Sequence, residues 1–380
     1  MNTMQISPAI LEWAAKQCGL SMVGLIDSLG VAKPDRLLSG ELTPRQIEKL
    51  AKKANIPFGY FFLDAPPENL HHSLPDLRQL PHPIPLSQDF FDTLNDILRK
   101  QQWYLDYLEE QGIEKLSFVG KFKFTSAQPA ATVAADIRDT LNLTLNEQKQ
   151  CKNTETFYQL LSRQIESIGI LVFKNGVVKN NNSRNLSVEE FRGFAIADCR
   201  APVIFINGKD SETAWIFTLA HELAHIWLGE SGVSDIPNEL KNSQHRELES
   251  YCNQIAAELL LPEQEFLTAW VAQLESLETQ RKIDALSKIF KVSRWVVARR
   301  AYNLGKIQQD EYVATIQMTQ KKSTEGGNFY RMLPVRNSKR LTQAIVNSAM
   351  SGKTMLREAA SLLNVKPHTI IEMSKHLENS

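Results

Sequence analysis

The chain is expected to be α+β, with a small sheet and its packed helices as the main core and helical modules at both ends. Three observations lead there. Most of the 380 residues carry apolar positions at helical spacing, whereas only short runs such as Pro202 to Asn207 read as strands. Six prolines between Leu63 and Leu86 interrupt any helix or inner strand and mark a stiff joint. A second break, with Gly326-Gly327, precedes a basic tail. The expected layout is a helical module over 1–63, a proline-rich linker over 64–88, the main domain over 89–320 and a C-terminal helical module over 321–380.

The first module reads as about four short helices: Pro8 to Cys18, Ser21 to Ser28, a piece near Pro34 to Leu38, and Thr43 to Ala54, where Thr43 is an N-cap and Pro44 the first helical residue. This is a helix-turn-helix layout. Its charge is balanced, seven basic against five acidic residues from Met1 to Tyr60, and only Lys33, Asp35 and Arg36 stand where DNA would be touched. DNA reading and a role in dimerisation or protein recognition remain open for it, with Lys33 and Arg36 the candidate DNA contacts.

His71 and His72 fall in the joint and read as solvent-facing. Beyond it, Asp89 to Gln111 is helical, Lys115 to Phe124 alternates like a strand, and Ala131 to Leu141 and Thr156 to Ile168 are helices. The last leads into a strand, Gly169 to Phe173. Asn180-Asn181-Asn182 marks a loop before two more strands, Phe191 to Ala197 and Pro202 to Asn207.

Thr213 to Leu228 can only be a buried helix, since it is apolar nearly all round, and it carries His221-Glu222-Leu223-Ala224-His225. Past the first turn its only polar residues are Thr218, His221, Glu222 and His225. At about 100° per residue they form one narrow stripe, which is costly in a core unless something satisfies it. A zinc ion held by the two imidazoles, four residues apart, would do so, and Glu222 would then stand beside the ion as a general base. The core therefore reads as zincin-like.

A third ligand must come from downstream, because Leu228 and Ser231 stand where an extended HExxHxxGxxH motif needs glycine and histidine. The next helix, about Arg246 to Leu261, offers Glu247, Glu249 and Glu258. They point in different directions: Glu247 lies about 200° and Glu258 about 180° from Glu249 around the axis, whereas Asn253 shares the face of Glu249. Glu249 is the preferred ligand. Asn253 is the candidate partner for a zinc histidine's ring N–H or for Glu249 itself, and His245, one turn earlier, stays as a rival ligand or transition-state donor.

These motifs resemble the ImmA/IrrE metallopeptidases: a strand, here Pro202 to Asn207; a helix with Phe217-Thr218-Leu219-Ala220 before the HExxH; and Glu249-Ser250-Tyr251-Cys252-Asn253-Gln254-Ile255-Ala256-Ala257-Glu258-Leu259-Leu260-Leu261-Pro262 for E-x-x-x-N-x-x-A-A-x-L-L-x-P. The resemblance runs from about Arg192 to Pro262. It implies His221, His225 and Glu249 as zinc ligands and Glu222 as base, in proteins that cut helix-turn-helix repressors. The order of N-terminal helix-turn-helix, proline-rich joint and peptidase domain also resembles larger members, some encoded beside toxins.

Past the motif, Ile283 to Tyr302 reads as helix, turn at Val292-Ser293, helix, a second pair resembling a helix-turn-helix that packing explains as well as DNA does. From Lys321 onward ten basic residues face four acidic ones, Lys353 to Leu377 is helical, and Glu358 to Val365 again suggests a helix-turn-helix-like module, while the charge is read in the first place as a solvated surface.

Over the whole chain 43 basic residues balance 43 acidic ones, so any DNA contact must be local. No apolar run approaches the roughly 18 residues that span a bilayer, the N-terminus lacks a signal peptide, and four cysteines without CxxC spacing fit free thiols in the cytoplasm. Cys199, just before the strand Pro202 to Asn207, reads as a buried thiol. The reading is a zinc-dependent endopeptidase that regulates gene expression by cutting a repressor or antitoxin-type protein. Its alternative is a DNA-binding regulator or antitoxin whose zincin domain is a scaffold or sensor. A protein substrate, DNA and a second copy of the chain are the candidate partners; a membrane is not.

Overall fold

The computed structural model describes residues 3–17, 20–22, 24–25, 35–36, 39–54, 58–66, 74, 86–124, 128–234, 246–273, 277–317 and 329–378. Two compact units result, one of residues 1–73 and 86–95 and the other of residues 74–85 and 96–380. The fold is α+β. Most of the expected linker, His71 and His72 with it, lies outside the described residues, as do Cys18 and the break at Gly326-Gly327.

In the first unit, β1 (Met4–Gln5) pairs antiparallel with β2 (Glu41–Leu42), a pairing too short to leave an alternating pattern in the sequence. Helices α1 (Pro8–Gln17) and α2 (Pro44–Ala54) share a core with Ile10, Leu11, Ile47, Leu50 and Phe61. Thr43 caps α2: its backbone N–H donates to Gln46 Oε1 at 2.8 Å and its hydroxyl accepts from Gln46 N at 3.4 Å, the reciprocal pair of a capping box. Met22, Gly24 and Leu25, and Asp35 with Arg36, are helical within the two shorter expected helices. Because this unit has its own apolar core, deleting residues 1–63 is expected to leave a chain that unfolds in one cooperative transition. A calorimetric scan checks it, and loss of the transition would contradict it.

Helix α3 (Gln88–Glu110) begins in the first unit and continues in the second. The second unit then runs through α4 (Ala130–Leu141), α5 (Leu145–Gln150) and α6 (Thr154–Ser167) into β3 (Leu171–Asn175), β4 (Gly193–Ile196) and β5 (Val203–Asn207). Next come α7 (Glu212–Leu228), β6 (Gly232–Ser234), α8 (Arg246–Leu260) and α9 (Glu263–Val271), then α10 (Thr279–Phe290), α11 (Arg294–Asn303), α12 (Gln309–Gln317) and α13 (Phe329–Arg336). The chain closes with α14 (Lys339–Met350), α15 (Leu356–Leu362) and α16 (Pro367–Glu378). None of the described helices is long and apolar enough to cross a membrane.

The sheet has four strands in the order β3-β5-β4-β6. β5 pairs parallel with β3 and antiparallel with β4, and all five of its residues are buried, which is why Val203 to Asn207 is continuously apolar up to Asn207 rather than alternating. Phe194 and Phe205 stack across the β4–β5 register with ring centroids 4.9 Å apart.

Lys115 to Phe124 is not a strand. Its alternation reflects loop side chains such as Phe118, which stacks on Trp227 at 4.6 Å, while its backbone is spent elsewhere. Gly120 N donates to Ile226 O at 3.0 Å and Phe122 N to Trp227 O at 3.1 Å, so the loop satisfies the last carbonyls of α7, which a helix cannot satisfy itself. Trp227 Nε1 donates to Asp136 Oδ1 at 2.8 Å, tying the same end of α7 to α4. At the other end Ser211 caps the helix by accepting from Ala214 N.

Candidate metal centre

Helix α7 is buried without interruption from Ile216 to Leu228, and its polar stripe is buried with it. His221, Glu222 and His225 have zero exposed surface and Thr218 is 1% exposed. α8 packs alongside and contributes Glu249, also fully buried. The structure brings three donors to one point: His221 Nε2 to Glu249 Oε2, His225 Nε2 to Glu249 Oε1, and the two Nε2 atoms to each other are all 3.1 Å apart. Four bonds of 2.0–2.1 Å at tetrahedral angles set neighbouring donors about 3.3 Å apart, so the spacing fits a zinc ion.

A second observation favours a cation. Both oxygens of Glu249 are buried, and among the described residues they meet no polar partner but the two imidazoles. Burial pushes its carboxyl up, but the two imidazoles outweigh burial and hold it at about 2. Burial lowers both histidines as well; Glu249 more than reverses this at His221, which is raised, and does not at His225, which stays lowered.

His221 Nδ1 lies 3.1 Å from Asn253 Oδ1. With Nδ1–H donating to that oxygen, the Nε2 lone pair is left facing Glu249 and His225. The other glutamates of α8 are elsewhere. Glu247 is exposed, and Glu258 pairs with Arg300 and accepts from Glu263 N at 3.2 Å. Lys33 and His245 lie outside the described residues, and Arg36 is exposed, 3.9 Å from Glu41.

Two neighbours of the cluster were not singled out from the sequence. Cys252 Sγ is 3.7 Å from His225 Nδ1, giving that ring a partner on its far side as Asn253 does for His221, and burial beside Glu249 and Glu222 pushes its thiol pKa well up. The signal was its position three residues after Glu249, which puts it on a neighbouring face of α8. Gly193 is the other. A Cβ there would stand 2.8 Å from Glu222 Oε1, 2.8 Å from Thr218 Cγ2 and 2.9 Å from the backbone oxygen of Phe205. A glycine inside a strand signals such an approach. Gly193→Ala is expected to cost about 1–3 kcal/mol by overpacking, because the backbone oxygen cannot swing away. A thermal melt checks it, and an unchanged Tm would mean β4 and α7 separate freely.

Sequence comparison bears on this same stretch. Residues 165–302 match the family model of the IrrE N-terminal-like domain, Peptidase_M78. The match takes in β3 to β6, α7, α8 and the cluster, and it supports the ImmA/IrrE family for that stretch and a zincin-like core for the α+β fold. The chain thus carries a peptidase-family domain with a buried His-His-Glu group. Residues 337–376 match a domain of unknown function, DUF8813. No curated protein matches the chain.

Proposed function

We propose that the chain is a zinc-dependent endopeptidase that regulates gene expression by cutting a repressor or antitoxin-type protein. The observation that carries this reading is the convergence of His221, His225 and Glu249 at 3.1 Å spacing, with Glu222 next in sequence to one of them on the same buried stripe. His221, His225 and Glu249 would hold the ion, and Asn253 would fix the tautomer of His221. Zinc, when bound, supplies Lewis acidity towards a peptide carbonyl and a water.

Glu222 does the proton work. Its carboxylate takes a proton from the attacking water as the oxygen bonds to the carbonyl carbon, and returns it to the amine nitrogen as the C–N bond breaks. A substrate peptide cannot add to β5, because both edges of β5 are already used by β3 and β4. The described sheet ends at β3 and at β6, and an extended peptide would add at one of these edges, β6 being the one joined to the end of α7.

The complete burial of all four groups favours a second reading, in which the domain is a scaffold or sensor within a DNA-binding regulator or antitoxin. Incubating the purified chain and zinc with each protein encoded by the genes on either side of its own separates the two. A single new N-terminus in that partner supports the peptidase. An intact partner supports the scaffold.

A further inference from the structure

Two helix pairs in the second unit turn in the same way, and their second helices meet opposite fates. In the first pair, α10 ends at Lys291 in the left-handed region, φ 59°, and Ser293 caps α11. In the second, α15 ends with Asn364 at φ 55°, Val365 N donates back to Ala360 O at 2.9 Å, and Pro367 opens α16. That left-handed asparagine with its long return bond is a Schellman close. It makes the four-residue turn, Leu363 to Lys366, that joins the helices of a helix-turn-helix.

The second helix of the first pair is consumed by packing. Val296, Val297, Ala298, Arg300 and Ala301 are buried, Trp295 meets Phe217 edge-on at 5.2 Å, and no residue from Arg294 to Tyr302 is exposed. Nothing in α11 can enter a groove. α16 differs. Thr369, Ile370 and Met373 face α14 and α15, whereas His368, Ile371 and Lys375 are exposed and Glu372 is partly so. At about 100° per residue those four lie within an arc of about 100° on the side away from the core.

The charge around this face is net basic. The matched module, residues 337–376, carries six basic residues against two acidic ones in a chain whose total is zero. Lys353 just before α15, Arg357 in its first turn, Lys366 in the turn and Lys375 on α16 are exposed; of the two acids Glu358 is exposed beside Arg357 and Glu372 is engaged by Lys375 at 3.0 Å. Ile371, 40% exposed, stands among polar groups. A duplex satisfies each feature: phosphates for the lysines, hydrogen-bonding base edges for His368, and thymine methyl groups for Ile371. The twelve residues of α16 extend about 18 Å, long enough to lie in a major groove.

The mounting is rigid. Asn364 Nδ2 donates to both oxygens of Asp96, Asn180 Nδ2 donates to Leu363 O and Asn364 O, and Arg99 donates to Ser361 O at 2.8 Å. These contacts hold the turn to the rest of the unit, and none of them involves His368, Ile371 or Lys375.

We propose that α15, the Leu363–Lys366 turn and α16 form a duplex-DNA-binding helix-turn-helix in which α16 reads the major groove. The assignment is independent of the peptidase reading. It moves the expected DNA contacts from Lys33 and Arg36 to Lys366, His368, Ile371 and Lys375.

The test is fluorescence anisotropy of the full-length chain with a labelled 30-base-pair duplex of random sequence at 50 mM and 200 mM salt. With three phosphates neutralised, affinity should fall about 40-fold over that range. Reversing Lys366 and Lys375 to Glu should weaken binding at least tenfold and flatten the salt dependence by about two phosphates, while Arg36→Glu stays within twofold of the parent. Should the reversal lower Tm, the pair Lys366→Gln and Lys375→Gln replaces it and the same loss is expected. Three results would overturn the assignment: no binding at 50 mM salt, equal binding by parent and Lys366/Lys375 variant, or loss only with Arg36→Glu. Tighter binding to a single-stranded RNA of the same length would also overturn it.

Discussion

Glu222→Gln is expected to fold and bind zinc as the parent does and to leave the partner protein uncut. The amide keeps the size of the carboxylate and can still hydrogen-bond, but it cannot accept a proton from water. General-base catalysis contributes about 10²–10⁴-fold, and the upper end is expected because one carboxylate serves first as base and then as acid on the leaving amine. Co-expression of parent or variant with the partner, read by gel and intact mass, makes the measurement. A fragment that forms equally with both chains would remove Glu222 from the mechanism.

The second large effect concerns stability. Glu249 is fully buried, with each of its oxygens 3.1 Å from an imidazole nitrogen. An ion that binds the folded chain alone stabilises it by about 2.7 kcal/mol at a hundredfold excess over its Kd, so chelation should lower Tm by several degrees. His221→Ala should lower it as well, by removing the ion and leaving the carboxylate buried with one imidazole fewer. Tm should then stop responding to added zinc. A parent whose Tm is indifferent to chelator would mean that the cluster is satisfied without a metal.

Much of this was legible in the sequence, for particular reasons. The buried helix could be read because Ala214 to Leu228 is apolar on every face but one, and histidines four apart must share that face. Glu249 could be chosen over Glu247 and Glu258 because about 100° per residue turns the three in different directions, and the folded chain keeps only Glu249 beside the histidines. The positions of β3, β4 and β5 were legible too, within a few residues.

What escaped depends on contacts between distant segments. Whether β5 is an edge or a centre is decided by the arrival of β3 and β4 on its two sides, which its own five residues do not encode. The alternation in Lys115 to Phe124 looked like a ladder because Phe118 packs inward, but its N–H groups go to the end of α7. The β1–β2 pair and the three-residue β6 are too short for periodicity to register. Gly193 and Cys252 matter only once β4 and α8 are laid against α7.

The central claim is that His221, His225 and Glu249 hold one zinc ion, and elemental analysis of the purified chain with its variants tests it most directly. The account predicts one zinc per chain in the parent and in Glu222→Gln, none in His221→Ala or His225→Ala, and much weakened retention in Glu249→Gln. Full zinc in Glu249→Gln together with its loss in Glu247→Gln or His245→Ala would contradict it.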